Sequence, residues 1–286
     1  MHENTIFWTL VYVTAVAYSY VVFIRLGAIP GDRNDPTVIK SRIIRVLLCT
    51  SLNVLIAPYI LIDYLEIVPN ISSFYEVTGL TNLFRIENIV AVFKTLLLFM
   101  ILFAGPLFEE INSFQCSCSS KIEVLRDLFI APLTEEFIYT SLTTGSLLAY
   151  ELSTHSNIIT YSPTQFHNDK HISKYIQLSP LFFGFAHVHH GVELRNNGVS
   201  FVKVITVCGF QCAYTTLFGY LTNRVFVNTG SLWCCFIAHS FCNFMGFPSL
   251  TTNGSFFHNT FYFALLIGGI YGFGLFFDKL TFNPMV

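Results

Sequence analysis

The chain has 286 residues, 53% of them hydrophobic and 11% charged, with a net charge of −2. Soluble domains carry about 25% charged residues, so the composition excludes an ordinary soluble fold, and the near-neutral charge argues against a nucleic-acid partner. The eight cysteines form no C-x-x-C pair, and most sit in apolar runs, which points away from a disulfide framework or zinc ribbon. The exception is Cys116-Ser-Cys118, in a loop.

A bilayer core takes about 20 apolar residues per helix. Residues 6–24 meet that length without a charge, and only His2 and Glu3 lead into them. That start lacks the basic stretch of a cleaved signal peptide. A second span is predicted over 46–62, kinked by Pro58, and a third over 89–108, with Lys94 near its start. The fourth, 125–150, holds two adjacent glutamates. Residues 178–190, starting as far back as Tyr175, then 199–220, 231–247 and 260–277 complete about eight spans. No repeat or linker divides the chain, so 1–286 reads as one all-α polytopic membrane bundle.

Lys and Arg collect on cytosolic loops. Arg25, Arg33, Lys40, Arg42 and Arg45 therefore place the first loop in the cytosol, and acidic Asp63, Glu66, Glu76 and Glu87 place the second on the far side. Lys121, Arg126 and Arg195 follow on the cytosolic side, whereas Lys170 and Lys174 run against the pattern. Asn70-Ile-Ser would be a glycosylation acceptor on the far side, and Asn253-Gly-Ser would stay bare in the cytosol.

Three polar clusters interrupt the apolar runs. The first is Glu135-Glu136, about 13 Å along the helix from Arg126. A charge at mid-membrane costs roughly 2.5–3.5 kcal/mol on insertion scales, so two in succession call for a reason. They point about 100° apart and should do different jobs. An acid held out of water is a better proton acceptor near neutral pH; helix packing or an ion path are the plainer alternatives. The second cluster is "LFFGFAHVHHGVE". His187 shares a helix face with Phe183 and His190, while His189 points elsewhere; interfacial or helix-ending histidines are the plainer alternative, and a His189–Glu193 metal pair is another. The third is "FIAHSFCNF", where His239 and Asn243 stack on one face. Both can donate toward one oxygen and stabilise an oxyanion in a water-poor site. The alternative is hydrogen bonding between helices. Cys242 reads as a nucleophile or as a small buried hydrophobe.

Together these clusters make the chain resemble the type II CAAX prenyl endopeptidases, the Ras-converting intramembrane proteases, in their eukaryotic branch, within the wider CPBP group. That family carries E-E-x-x-x-R, F-x-x-x-H and H-x-x-x-N in order. Here they stand as Glu135-Glu136-Phe-Ile-Tyr-Thr140, Phe183-Gly-Phe-Ala-His187 and His239-Ser-Phe-Cys-Asn243. Residues 125–247 carry the resemblance and would be the catalytic core. Thr140 replaces the family arginine, one turn beyond Glu136, so Glu136 must be protonated or find a partner on another helix.

The resemblance implies removal of the C-terminal tripeptide from prenylated CAAX proteins such as Ras-type GTPases, at a cytosol-open cavity in the endoplasmic reticulum membrane. It also implies a lipid-facing gap for the farnesyl or geranylgeranyl chain. With the three clusters converging, Glu135 is expected as general base on a water that His187 helps hold. His239 and Asn243 are expected as oxyanion donors, and Glu136 and Phe183 as supporting residues. No metal and no cofactor enters this scheme. Four rivals stand beside it. One is a His₂Glu zinc site, although H-E-x-x-H is absent. The others are a Cys242 nucleophile, a transporter using the same groups as a proton relay, and an inactive membrane scaffold.

Overall fold

A computed structural model describes residues 4–80, 85–113, 120–155, 174–196, 198–249 and 254–282. Cys116, Cys118, Lys170 and Asn253 lie outside them. Within them the chain is helical and has no strand, as an all-α bundle requires, and every cysteine is free.

Helix α1 (Thr5–Arg25) matches its expected span. Helix α2 (Pro36–Pro58) starts ten residues earlier than hydropathy suggested, capped by the Asp35 side chain with Pro36 in its first turn. After Pro58 the helix passes into a π-turn over Tyr59–Tyr64, and the run Pro36–Tyr64 continues as one span. The short α3 (Ile71–Val77) was not foreseen; Asn70, exposed, caps it by accepting the Ser73 N–H at 3.0 Å. The expected third span is not one straight helix. It breaks at Phe103 into α4 (Ile86–Leu102) and α5 (Ala104–Ser113), bent by 81°. Pro106 has no N–H to bond the Leu102 carbonyl, so the first helix ends and the proline sits in the first turn of the second.

Helix α6 runs from 121 to 155 with two π-turns, at Arg126–Ile130 and Glu136–Leu142. Every residue from Glu136 to Ala149 is buried. A helix enclosed on all sides is buried in the bundle, and its hydroxyls find partners within it (Thr140 to Glu136, Thr143 to the Ile138 carbonyl, Ser146 to the Leu142 carbonyl) and beyond it (Ser141 to the Thr78 carbonyl, Thr144 to Ser179). The fifth predicted span is divided into α7 (Lys174–Leu178), α8 (Pro180–Ala186), a 3₁₀ turn (His187–His189) and α9 (His190–Asn196). Helices α10 (Phe201–Thr229), α11 (Leu232–Met245) and α12 (Phe256–Thr281) close the bundle.

Four helical runs (α1, α2 with its π-turn, α10 and α12) are each long and apolar enough to cross a bilayer, and the bent α4–α5 pair brings the number to five. Helix α11, at 14 residues, is about 21 Å long and shorter than the hydrocarbon core. It packs between α4, α6 and α10. Helix α8 packs on α10 so closely that a Cβ on Gly184 would collide with the Thr216 hydroxyl and reach the Cys212 carbonyl at 2.8 Å.

Candidate active site

The geometry of the site begins with Pro132. Lacking an N–H, it leaves the Leu128 carbonyl one turn earlier without its helical donor. The preceding π-turn sends the Ala131 N–H to the Arg126 carbonyl, which frees the Asp127 carbonyl as well. Helix α11 answers both: Ser240 Oγ donates to Leu128 at 2.7 Å and Asn243 Nδ2 donates to Asp127 at 2.9 Å. Two backbone groups that would otherwise be unsatisfied thus clamp α11 to α6. The clamp holds His239 opposite the glutamates.

Glu136 is 1% exposed and fully partnered. Thr140 Oγ1 donates to one carboxyl oxygen at 2.7 Å and His239 Nδ1 to the other at 2.8 Å. The open question left by the missing arginine is thereby resolved: the partner comes from another helix, with Thr140 assisting. Glu136 also fixes which imidazole nitrogen faces inward. His239 Nε2 points toward Glu135 Oε2 across 3.9 Å, too far for a direct hydrogen bond and within reach of one bridging water. The two glutamates have different surroundings: Glu136 is enclosed by its two hydrogen-bond partners, while Glu135 stands on the wall of a cavity of about 330 Å³.

His187 lines the same cavity. Its Nδ1 lies 2.9 Å from the Phe183 carbonyl; a carbonyl only accepts, so Nδ1 carries the hydrogen and Nε2 is the free atom. Phe183 is buried between these groups, its ring 5.0 Å from His187, 5.9 Å from His239 and 5.1 Å from Tyr139. Tyr139 donates in turn to the Ala17 carbonyl, and Tyr20 bonds Thr134 at 2.8 Å, so α1 supports the floor. Asn243 is exposed along the cavity with one amide N–H committed to Asp127. Its other N–H is left free to face the cavity.

His189 does not point away from His190, as α-helical spacing suggested. At the 3₁₀ turn the rings of His189 and His190 lie 4.1 Å apart, and His187 and His190, three apart and so eclipsed in that geometry, lie at 6.0 Å. His189, His190 and Glu193 form the one triad among the described residues gathered tightly enough for a metal ion. Glu193, however, faces Arg25 and Arg42, each at 3.4 Å, and two guanidiniums oppose a cation. Burial raises the proton affinity of Glu193, but the His190 hydrogen bond and the neighbouring positive charges hold its carboxyl below the ordinary carboxylate range. Glu135, His187 and His239 form no such triad.

The site can be compared with known proteins on this footing. A family model, type II CAAX prenyl endopeptidase Rce1-like, matches residues 118–245. The CAAX prenyl protease 2 of Saccharomyces cerevisiae is 30% identical over 268 residues, spanning 85% of this chain and 81% of that protein. The human CAAX prenyl protease 2 is 32% identical over 256 residues, spanning 82% and 70%. The chain belongs to the type II CAAX prenyl endopeptidase family. It is a protease of CAAX processing. A probable CAAX prenyl protease 2 of Schizosaccharomyces pombe extends the likeness to 97% of this chain, at 29% identity. No solved structure matches. Within this endopeptidase the family match contains all three polar clusters. It also contains Pro132 and Ser240, which motif spacing does not single out; Pro132 inside a helical run was the available signal. Tyr20 and the arginines of the first loop lie ahead of it.

Proposed function

We propose that this endopeptidase removes the terminal tripeptide of prenylated CAAX proteins by direct attack of water, with residues 125–247 as its catalytic core. Glu135 takes the proton from a water that His187 Nε2 helps to hold. The resulting hydroxide attacks the carbonyl that follows the prenylated cysteine. His239, oriented by Glu136, and the uncommitted N–H of Asn243 stabilise the tetrahedral oxyanion. Breakdown of that intermediate returns a proton to the leaving amine and frees the tripeptide. The prenyl chain stays in lipid and contributes about 0.8 kcal/mol per buried methylene. In this reading the cavity opens to the cytosol and the protein resides in the endoplasmic reticulum membrane.

The observation that carries the proposal is the 3.9 Å gap between Glu135 and His239 on the wall of a cavity that His187 shares. The test is tripeptide release from a farnesylated CAAX peptide by protein in liposomes, with Cys242→Ser beside the wild type. Release by both, at rates within about threefold, is expected, because a thiol that only packs takes no part in the transition state and its exchange should move the barrier by no more than about 0.7 kcal/mol. Loss of release in Cys242→Ser with the fold intact would transfer the chemistry to a thiolate.

A further inference from the structure

The cavity differs in charge between its depth and its mouth. Glu135 stands deep in it, and Arg33, Arg42 and Arg126 line it. Arg126 is neutralised: it meets both oxygens of Asp127, at 2.6 and 2.9 Å, and donates to the Arg33 carbonyl at 2.9 Å. Arg42 shares a single oxygen of Glu193 with Arg25, while His190 takes the other at 3.4 Å. The guanidinium of Arg33 makes no hydrogen bond or ion pair among the described residues and is exposed. Two guanidiniums therefore share one carboxylate and a third has none, and Arg33 and Arg42 both line the cavity.

In a CAAX end the scissile carbonyl lies at a fixed distance from two features, the prenylated cysteine and the free end of the chain, and the second can set the cut together with the first. That end carries a carboxylate, which is costly to bring into an apolar interior unpaired. Arginine forks pair with carboxylates through parallel charge-assisted hydrogen bonds. Three extended residues span about 10 Å, the length over which a fixed terminus would set the scissile carbonyl beside Glu135. We propose that Arg33 and Arg42 form a carboxylate subsite that holds the free C-terminus of the substrate and, together with the prenylated cysteine, sets the cleavage position. This inference rests on the proposed substrate class but not on the assignment of the base.

The experiment compares a farnesylated CAAX peptide ending in a free acid with the same peptide ending in a carboxamide. Turnover is measured with wild type, Arg33→Gln and Arg42→Gln in liposomes of zwitterionic lipid. Binding of both peptides is measured with Glu135→Gln, so that recognition is read without cleavage. The acid is expected to exceed the amide by about tenfold in both readouts, as one charge-assisted contact provides, with the preference falling at high salt. Arg33→Gln and Arg42→Gln bring the ratio toward one, and Arg33→Lys retains part of it. Equal handling of acid and amide by the wild type, or an unchanged ratio in both arginine variants, would overturn the subsite. So would variants that lose only affinity for anionic-lipid vesicles, since the arginines would then serve a headgroup phosphate. Full turnover by Glu135→Gln with the ratio intact would instead overturn the base and leave the subsite standing.

Discussion

Glu136 has no charged residue on its own helix to pair with, yet both of its oxygens are engaged, one by Thr140 and one by His239. The hydroxyl that stands where the family arginine is expected therefore still serves the carboxylate, by hydrogen bond instead of charge. Its removal has a definite cost, because a buried acceptor left unsatisfied costs about 1–3 kcal/mol. Thr140→Val, nearly isosteric, is expected to lower the unfolding free energy by that amount in a detergent melt. Thr140→Ser should restore most of it. Unchanged stability in Thr140→Val would mean that Glu136 does not depend on this hydroxyl. At this scale the sequence was informative about which side chains matter and poor about what they touch. Glu135, Glu136, Phe183, His187 and His239 were named from spacing, and all border one cavity or the pair beside it. The Asn243 contact was invisible, since its acceptor is a backbone carbonyl exposed by a π-turn that no side-chain spacing encodes.

Pro132 and the π-turn before it free two carbonyls of helix α6, and those carbonyls are what bind α11. Ser240 and Asn243 do for the freed carbonyls what the next turn of helix would have done. This makes Ser240 a positioning residue. Ser240→Ala is expected to cost about 1–3 kcal/mol of stability and to lower kcat more than it raises KM, since His239 rides on the same helix. Unaltered kcat and melting in Ser240→Ala would show that α11 is held by other contacts. Spans of strong, uniform hydropathy were legible, with α1 placed to within a residue at each end. Breaks were harder. Pro58 marked the place where a π-turn begins, but the bend between α4 and α5 passed for continuous helix because Gly105 and Pro106 lie in an otherwise apolar run.

Across the whole molecule, polarity is graded. Long apolar helices stand outside, a central helix buried from Glu136 to Ala149 carries hydroxyls and an acid, and Arg25 at the end of α1 and Arg42 in α2 meet Glu193 of α9. Asp63, near the end of the α2 run, lies about 30 Å along it from Arg42, so these two charges stand at opposite ends of that run. Which helices neighbour one another was not legible, because hydropathy reports depth and not adjacency. Only the order of the three clusters hinted that α6, α8 and α11 meet. The measurement closest to the central claim is single-turnover cleavage of a farnesylated CAAX peptide by Glu135→Gln beside wild type, both in liposomes. Loss of the general base predicts a rate lower by about 10²–10⁴-fold with peptide binding retained; a Glu135→Gln rate equal to wild type would contradict the account.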